Sequence, residues 1–225
     1  MGQRNHSATR GRPPIDHFER DAQNRVRIAQ VAAKLIAEHG IADWTLAKRK
    51  AVRQLMLSDR EALPGDDEIE SALAEYHALF GGDAHSTMLR DRREEALRWM
   101  RRLSEFRPVL SGGVAAGWAT AHSDIRLELV APDAKVVELA LLNARVPYRT
   151  LHSDRDGAAE LYTETPQGGL RLSICAPEDA WQRPRRDRRG HEPIRLDEAA
   201  LTALLTGSDG TASSQQTGNT RDPPM

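Results

Sequence analysis

The residues with types and spacing suited to chemistry fall in one stretch, Leu110-Ser-Gly-Gly-Val-Ala-Ala-Gly-Trp-Ala-Thr-Ala-His-Ser-Asp-Ile-Arg-Leu-Glu-Leu129. Gly112 and Gly113 follow a short strand candidate. Glycine lacks a Cβ, so the main chain there can approach a large anion such as a triphosphate, and amides at a helix N-terminus favour its charge. Ten residues separate Gly113 from Asp124, which opens an alternating segment reaching Val130. Alternate residues of a strand share a face. Asp124, Arg126 and Glu128 therefore line one side, and Ile125, Leu127 and Leu129 the other.

Gly112, Gly113, Ser123 and Asp124, in that order and spacing, resemble the signature of the nucleotidyltransferase superfamily, the polymerase-beta-like minimal core. Its members carry a Gly-Gly or Gly-Ser turn followed at about this distance by Asp-x-Asp on a strand. The resemblance implies that Asp124 is the catalytic carboxylate and a magnesium ligand. It implies that Gly112 and Gly113 cradle the phosphates of a nucleoside triphosphate, with Ser123 and Arg126 beside them. Magnesium ions held by paired carboxylates would bridge those phosphates.

The motif is degenerate. Arg126 stands where the second acid belongs. Glu128, the other acid on that face and the remaining candidate metal ligand, lies roughly 6–7 Å beyond it at strand rise. A third acid is expected on a later strand, yet Leu170 to Ala176 offers only Arg171 and Ser173. Glu160 and Glu164 on the preceding strand are the nearby alternatives. A guanidinium at 126 opposes a divalent ion, and would pair with Asp124 or Glu128 or contact a phosphate directly.

The elements that must position these groups are legible from periodicity. Helical spacing predicts a first helix with Val26, Ala29, Ala33, Ile36 and Ala37 inward, widened by Ile28, Val31, Ala32 and Leu35 and stopped by Gly40. A second runs from about Thr45 to Leu57, with Leu46, Val52, Leu55 and Met56 inward and Lys48, Arg49, Lys50 and Arg53 outward. A third, capped by Asp66 or Asp67, ends at Gly81-Gly82, and a fourth covers His85 to Glu105. Strands follow at 109–111 and 124–130. A helix at 133–145 is packed by Val136, Val137, Leu139, Ala140 and Leu142. Then come a strand at 148–151 and a hairpin of 160–165 with 170–176. Asp197 caps a last helix to Leu205. The fold class is α+β, an N-terminal helical region (16–105) followed by a small mixed β-sheet nucleotidyltransferase-like core (106–206). Residues 1–15 and 207–225 are polar and low in complexity, and are expected to be disordered.

Other features carry less. With 32 basic and 33 acidic residues among 225, the net charge is -1, so no global field draws the chain to nucleic acid or an anionic membrane. The Lys48-Arg49-Lys50 helix, with the helix before it, resembles the first helices of TetR-type repressors, which implies DNA contact. A solvated basic face is the commoner explanation, and nucleic acid is not the expected partner. Arg183, Arg185, Arg186, Arg188 and Arg189, flanked by Trp181 and His191, form the densest positive cluster. Cys175, the single cysteine, sits in an apolar run and reads as a structural thiol. His122-Ser123-Asp124 are consecutive on a strand and cannot form a relay. No P-loop, nucleophile elbow or paired-cysteine motif is present, and no signal peptide or membrane span, so the cytoplasm is the expected location.

The expected function is binding of a nucleotide or phosphorylated ligand, with magnesium-dependent nucleotidyl transfer weak or lost. The alternatives are a non-catalytic regulatory or interaction module on the same fold, with a protein partner, and a DNA-binding regulator using the N-terminal helices.

Overall fold

The computed structural model describes residues 15–41, 43–151, 159–178 and 193–212. The arginine cluster at 183–189 with Trp181 and His191, the segment 1–14 and the tail from 213 lie outside them. The chain divides into two compact units, Met1–Ala72 and Leu73–Met225.

In the first unit, helices α1 (Ile15–His39) and α2 (Trp44–Gln54) pack together ahead of the start of α3 (Asp66–Phe80). Small residues dominate the contact. Ile28, Ala29, Ala32, Ala33 and Ile36 are buried on α1, and Ala47, Ala51 and Val52 on α2. Alanines at helical spacing let two helix backbones approach closely, and the face of α2 is as expected only in part, with Val52 buried and Arg49, Lys50 and Arg53 exposed. Leu46 and Met56 face out, Met56 being 93% exposed, while Lys48 is buried and Val26 of α1 is exposed. Asp43 caps α2, its Oδ1 accepting from the Leu46 amide at 3.1 Å. At α3 the expected aspartate cap is replaced by Glu68, which reaches back to accept from the Gly65 amide at 2.8 Å, half of a capping box.

In the second unit a five-stranded mixed sheet has the order β1-β2-β5-β4-β3. The strands are β1 (Val109–Ser111), β2 (Ile125–Val130), β3 (Arg149–Leu151), β4 (Ala159–Thr165) and β5 (Gly168–Cys175). Only the β2–β5 pair is parallel. The expected α+β class holds, with helices preceding the sheet. Ile125, Leu127, Leu129, Leu170, Leu172, Ile174 and Leu161 turn to one side and are buried. They form one core with Leu89, Ala96, Leu97, Trp99 and Met100 of α4 (Gly82–Arg102), Val137 and Leu141 of α6 (Ala134–Asn143), and Leu201 of α7 (Glu198–Ala212). Because α4 shares this core, the boundary between units falls inside α3 rather than near residue 105.

Two helices differ from expectation in detail. On α6 only Val137 and Leu141 are buried, while Val136, Leu139 and Leu142 are 44%, 57% and 59% exposed. One helix face touches the sheet, and the sequence supplies apolar residues on more than one face. α7 continues to Ala212, past the expected start of the tail, with the Thr202 and Thr206 hydroxyls bonded back to Glu198 and Thr202 carbonyls. Asp133 caps α6 and Asp197 caps α7, accepting from the Lys135 and Ala200 amides.

Candidate functional site

The other side of the sheet is polar and faces no part of the core. Its residues fall in rows across the strands. One row reads Ser111, Arg126, Arg171, Tyr162, Arg149 on β1, β2, β5, β4 and β3. The next reads Val109, Glu128, Ser173, Glu160, Leu151. Asp124 sits at the mouth of β2, one step before Ile125.

Asp124 does not pair with Arg126. Its Oδ2 accepts from Arg171 Nε at 2.7 Å, and Arg171 Nη1 lies 3.5 Å from Glu160 Oε2. The bond to Asp124 is the first cause that holds the Arg171 guanidinium above its ordinary pKa, against the effect of burial. Glu128 pairs with Arg195. Glu164 accepts from the Tyr162 hydroxyl at 2.7 Å, a bond that raises the phenol's pKa. Arg149 stacks over the Tyr162 ring, 4.2 Å from its centroid. Arg126 is exposed and makes no hydrogen bond or ion pair among the described residues. The expectation that Arg126 neutralises Asp124 or Glu128 is therefore corrected. Both acids already hold arginines that the sequence places far away, Arg171 and Arg195.

The two glycines are explained first by the fold. Gly112 has φ +69°, the left-handed region, and a Cβ there would lie 3.2 Å from Arg126 Cδ. Gly113 is buried at the start of the five-residue helix α5 (Gly112–Ala116). A Cβ on it would come 2.7 Å from the Trp118 ring and 3.1 Å from Ala119 Cα. Gly113 thus makes room for an indole, while Gly112 lies beside the Arg126 side chain on the polar face. A third glycine, Gly169, permits the close approach of Asp124. A Cβ on it would collide with Asp124 Oδ1 and lie 2.5 Å from the Tyr162 hydroxyl.

The loop between α5 and Asp124 is held from below by two arginines that periodicity alone does not single out. Arg92 donates to the carbonyls of Thr120, Ala121 and Ser123, each at 2.6 Å. Burial lowers its pKa, while Asp124 acts in the opposite sense. Arg93 donates to the carbonyls of Val114 and Ala115 at the end of α5. Ser123 is used within this loop. Its Oγ accepts from the Thr120 amide at 2.9 Å, and its amide donates to the Thr120 carbonyl at 3.0 Å.

A two-metal site does not fit these residues. Asp124 and Glu160 are bridged by a guanidinium. Asp124 and Glu128 are four positions apart on extended chain, roughly 13 Å at strand rise, too far for one ion. Among the described residues no group of three or more His, Cys, Asp or Glu converges to hold a metal. The basic helix α2 is also altered as a surface. Lys48 is 8% exposed and its Nζ lies 2.7 Å from Asp66 Oδ1, leaving Arg49, Lys50 and Arg53 exposed. No helix among the described residues is long and apolar enough to cross a membrane.

No family model matches the chain. No curated protein matches it either. Among solved structures, that of Cid1 in complex with the UTP analog UMPNPP is similar, at 15% identity over 65% of this chain and with a TM-score of 0.31. The match covers 42% of that chain, so this protein spans less than half the length of the one it resembles.

Proposed function

We propose that the polar sheet face around Asp124 binds a nucleotide or another phosphorylated ligand, and that magnesium-dependent nucleotidyl transfer by this chain is weak or lost. One observation carries the reading. Arg126, an exposed guanidinium with no acid partner among the described residues, lies beside Gly112 in the row with Arg171. Arginine on a fixed strand suits phosphate oxygens well. Against catalysis stands the Arg171–Asp124 bond, which commits the catalytic carboxylate candidate to a cation of the protein's own.

Calorimetry with each nucleoside triphosphate, with and without magnesium, tests binding. A nucleotide-labelling assay of the native protein beside Asp124→Asn tests transfer. The reading expects binding without robust labelling. Strong labelling lost in Asp124→Asn would make the chain a working enzyme. Absence of nucleotide or phosphate binding under every condition would remove the proposal.

A second reading, a non-catalytic module that binds a protein, is favoured by the exposed Val136, Leu139 and Leu142 on α6. These recur every third residue and form a narrow apolar stripe. Cross-linking that traps a partner at α6, lost in Leu139→Lys, would support it.

A further inference from the structure

Arg126 and Arg171 face each other directly across the parallel β2–β5 pair. Neighbouring strands lie about 4.8 Å apart, so the two arginines leave one face at adjacent positions, the Arg126 stem running beside Gly112 and Arg171 reaching to Asp124. Like charges directly opposite one another cost stability. Among the described residues, acids pair with only one of them. Arg171 has Asp124 and Glu160, through Nε and Nη1, and neither bond uses its Nη2. The acids beside Arg126 on its own strand are committed, Asp124 to Arg171 and Glu128 to Arg195. Its neighbour on β1 is Ser111, which carries no charge. Among the described residues this face sets Asp124, Glu128, Glu160 and Glu164 against Arg126, Arg149, Arg171 and Arg195, so any attraction for an anion is local.

We propose that Arg126 and Arg171 form a clamp for a single phosphoryl group that works without a divalent cation. The inference rests on the reading above that this face takes a phosphorylated ligand, and it specifies how. Positive charge that a bound metal would bring is already built into the sheet. Arg171 stands between Asp124 and Glu160 and keeps its Nη2 without a partner among the described residues, while Arg126 supplies a guanidinium whose stem runs beside the bare Gly112. A phosphoryl group seated between the two guanidinium groups accepts from the Arg126 fork and from Arg171 Nη2. The recognised chemistry is the phosphate group itself, free or at the end of a nucleotide.

This arrangement predicts a signature that a structural role for Arg126 lacks. Removing one of two facing like charges leaves the unliganded protein as stable or more stable, while anion binding falls. The experiment is thermal unfolding and calorimetry of the full chain with inorganic pyrophosphate and, separately, with a nucleoside triphosphate. Each is run in EDTA and in magnesium, on native protein, Arg126→Gln, Arg126→Lys and the control Lys34→Gln. Expected results are binding in EDTA that magnesium does not strengthen, and a loss of tenfold or more in Arg126→Gln with no fall in its unliganded Tm. Arg126→Lys should recover part of the binding, and Lys34→Gln should behave as native. Binding of pyrophosphate and nucleotide alike points to the phosphate alone, and of nucleotide only to a further base contact; both keep the clamp. Binding that requires magnesium overturns the clamp and leaves the phosphorylated-ligand reading standing. Unchanged binding in Arg126→Gln, or a lowered unliganded Tm, also overturns it. No binding of either probe removes the clamp and that reading together.

Discussion

Arg171 Nε lies 2.7 Å from Asp124 Oδ2, although 47 positions separate them in sequence. Parallel pairing of β2 with β5 brings them together, and it sets Arg171 opposite Arg126 in the same stroke. Asp124 thus belongs to a small network, Asp124–Arg171–Glu160, whose central member is a cation.

That network makes the effect of Arg126→Asp small by itself. Arg171 would still hold Asp124, so magnesium affinity should stay near background. Arg126→Asp combined with Arg171→Gln frees Asp124 and Glu160 and adds a third carboxylate on the same face. Calorimetric titration with magnesium should then show binding in the double variant only. Binding in the Arg126→Asp single variant would mean that the Arg171 bond yields easily to a divalent ion.

Gly113→Ala should lower stability by about 1–3 kcal/mol, the usual cost of overpacking a filled site. Its Cβ would meet Trp118 and the Ala119 backbone rather than open space. Urea unfolding would read the loss. Weaker ligand binding in a Gly113 variant would therefore report a disturbed fold, and Arg126 is the better position at which to test binding. If Gly113→Ala unfolds like the native protein, Trp118 can move aside.

The elements were legible in the sequence where pattern and contact agree. The alternation of Ile125, Leu127 and Leu129 on β2 and the break between 160–165 and 170–176, where the chain turns at Pro166-Gln167, are local facts, and the sheet uses both. The face of α2 is legible only in part. Leu46 and Met56 look like core residues until Ala47 and Ala51 are seen to be the ones buried, a choice set by how closely α1 approaches. At the site, the Gly-Gly to Asp124 spacing pointed to the right region of the chain. The identity of Asp124's partner depends on strand order, β5 beside β2, which no local pattern encodes. Arg92 reads as one more charge of α4, yet it is 6% exposed; three carbonyls of a distant loop decide that.

A basic surface on α2 without Lys48 is too sparse for a DNA footprint. The protein should not retard a defined duplex at physiological salt. Lys48→Ala is the wrong probe, because it leaves Asp66 without its partner and should itself destabilise the first unit by about 1 kcal/mol. Arg49→Ala with Lys50→Ala changes the surface alone. Retardation that this pair abolishes would favour the DNA-binding alternative.

His77 gives stability a pH dependence. Burial, and then the neighbouring His85, lower its pKa from 6.5 to about 4. The two rings stack with centroids 3.9 Å apart, and His77 Nε2 is buried without a hydrogen-bond partner. The folded state therefore favours neutral His77. Between about pH 6.5 and 4 the unfolded chain binds more protons at this position, so stability falls as pH is lowered through that window and is unaffected by His77 above it. His77→Phe removes both the titration and the unsatisfied nitrogen. Denaturant midpoints at pH 7.5 and 5 should converge in His77→Phe relative to native protein. An equal acid loss in both would assign it to other groups.

Arg92 is the residue whose loss should cost most. It is buried, and its guanidinium donates three hydrogen bonds at 2.6 Å to the carbonyls of Thr120, Ala121 and Ser123. These carbonyls converge because the segment turns back on itself, with Ser123 and Thr120 bonded reciprocally. Only a planar fork meets all three, so Arg92→Lys is not conservative here. Truncation to Ala leaves the part-buried Ala121 and Ser123 carbonyls without this donor, while the Thr120 carbonyl keeps the Ser123 amide, so a total loss of about 2–4 kcal/mol is expected. Arg92→Lys should lose about half as much, since one ammonium reaches fewer acceptors. The loss should also be local before it is global, because Asp124 follows the clamped segment directly. Hydrogen exchange would then show faster amides at 119–124 in Arg92→Lys while β4 and β5 stay protected. Uniform acceleration across the sheet would mean that Arg92 supports the core as a whole and does not set the position of Asp124.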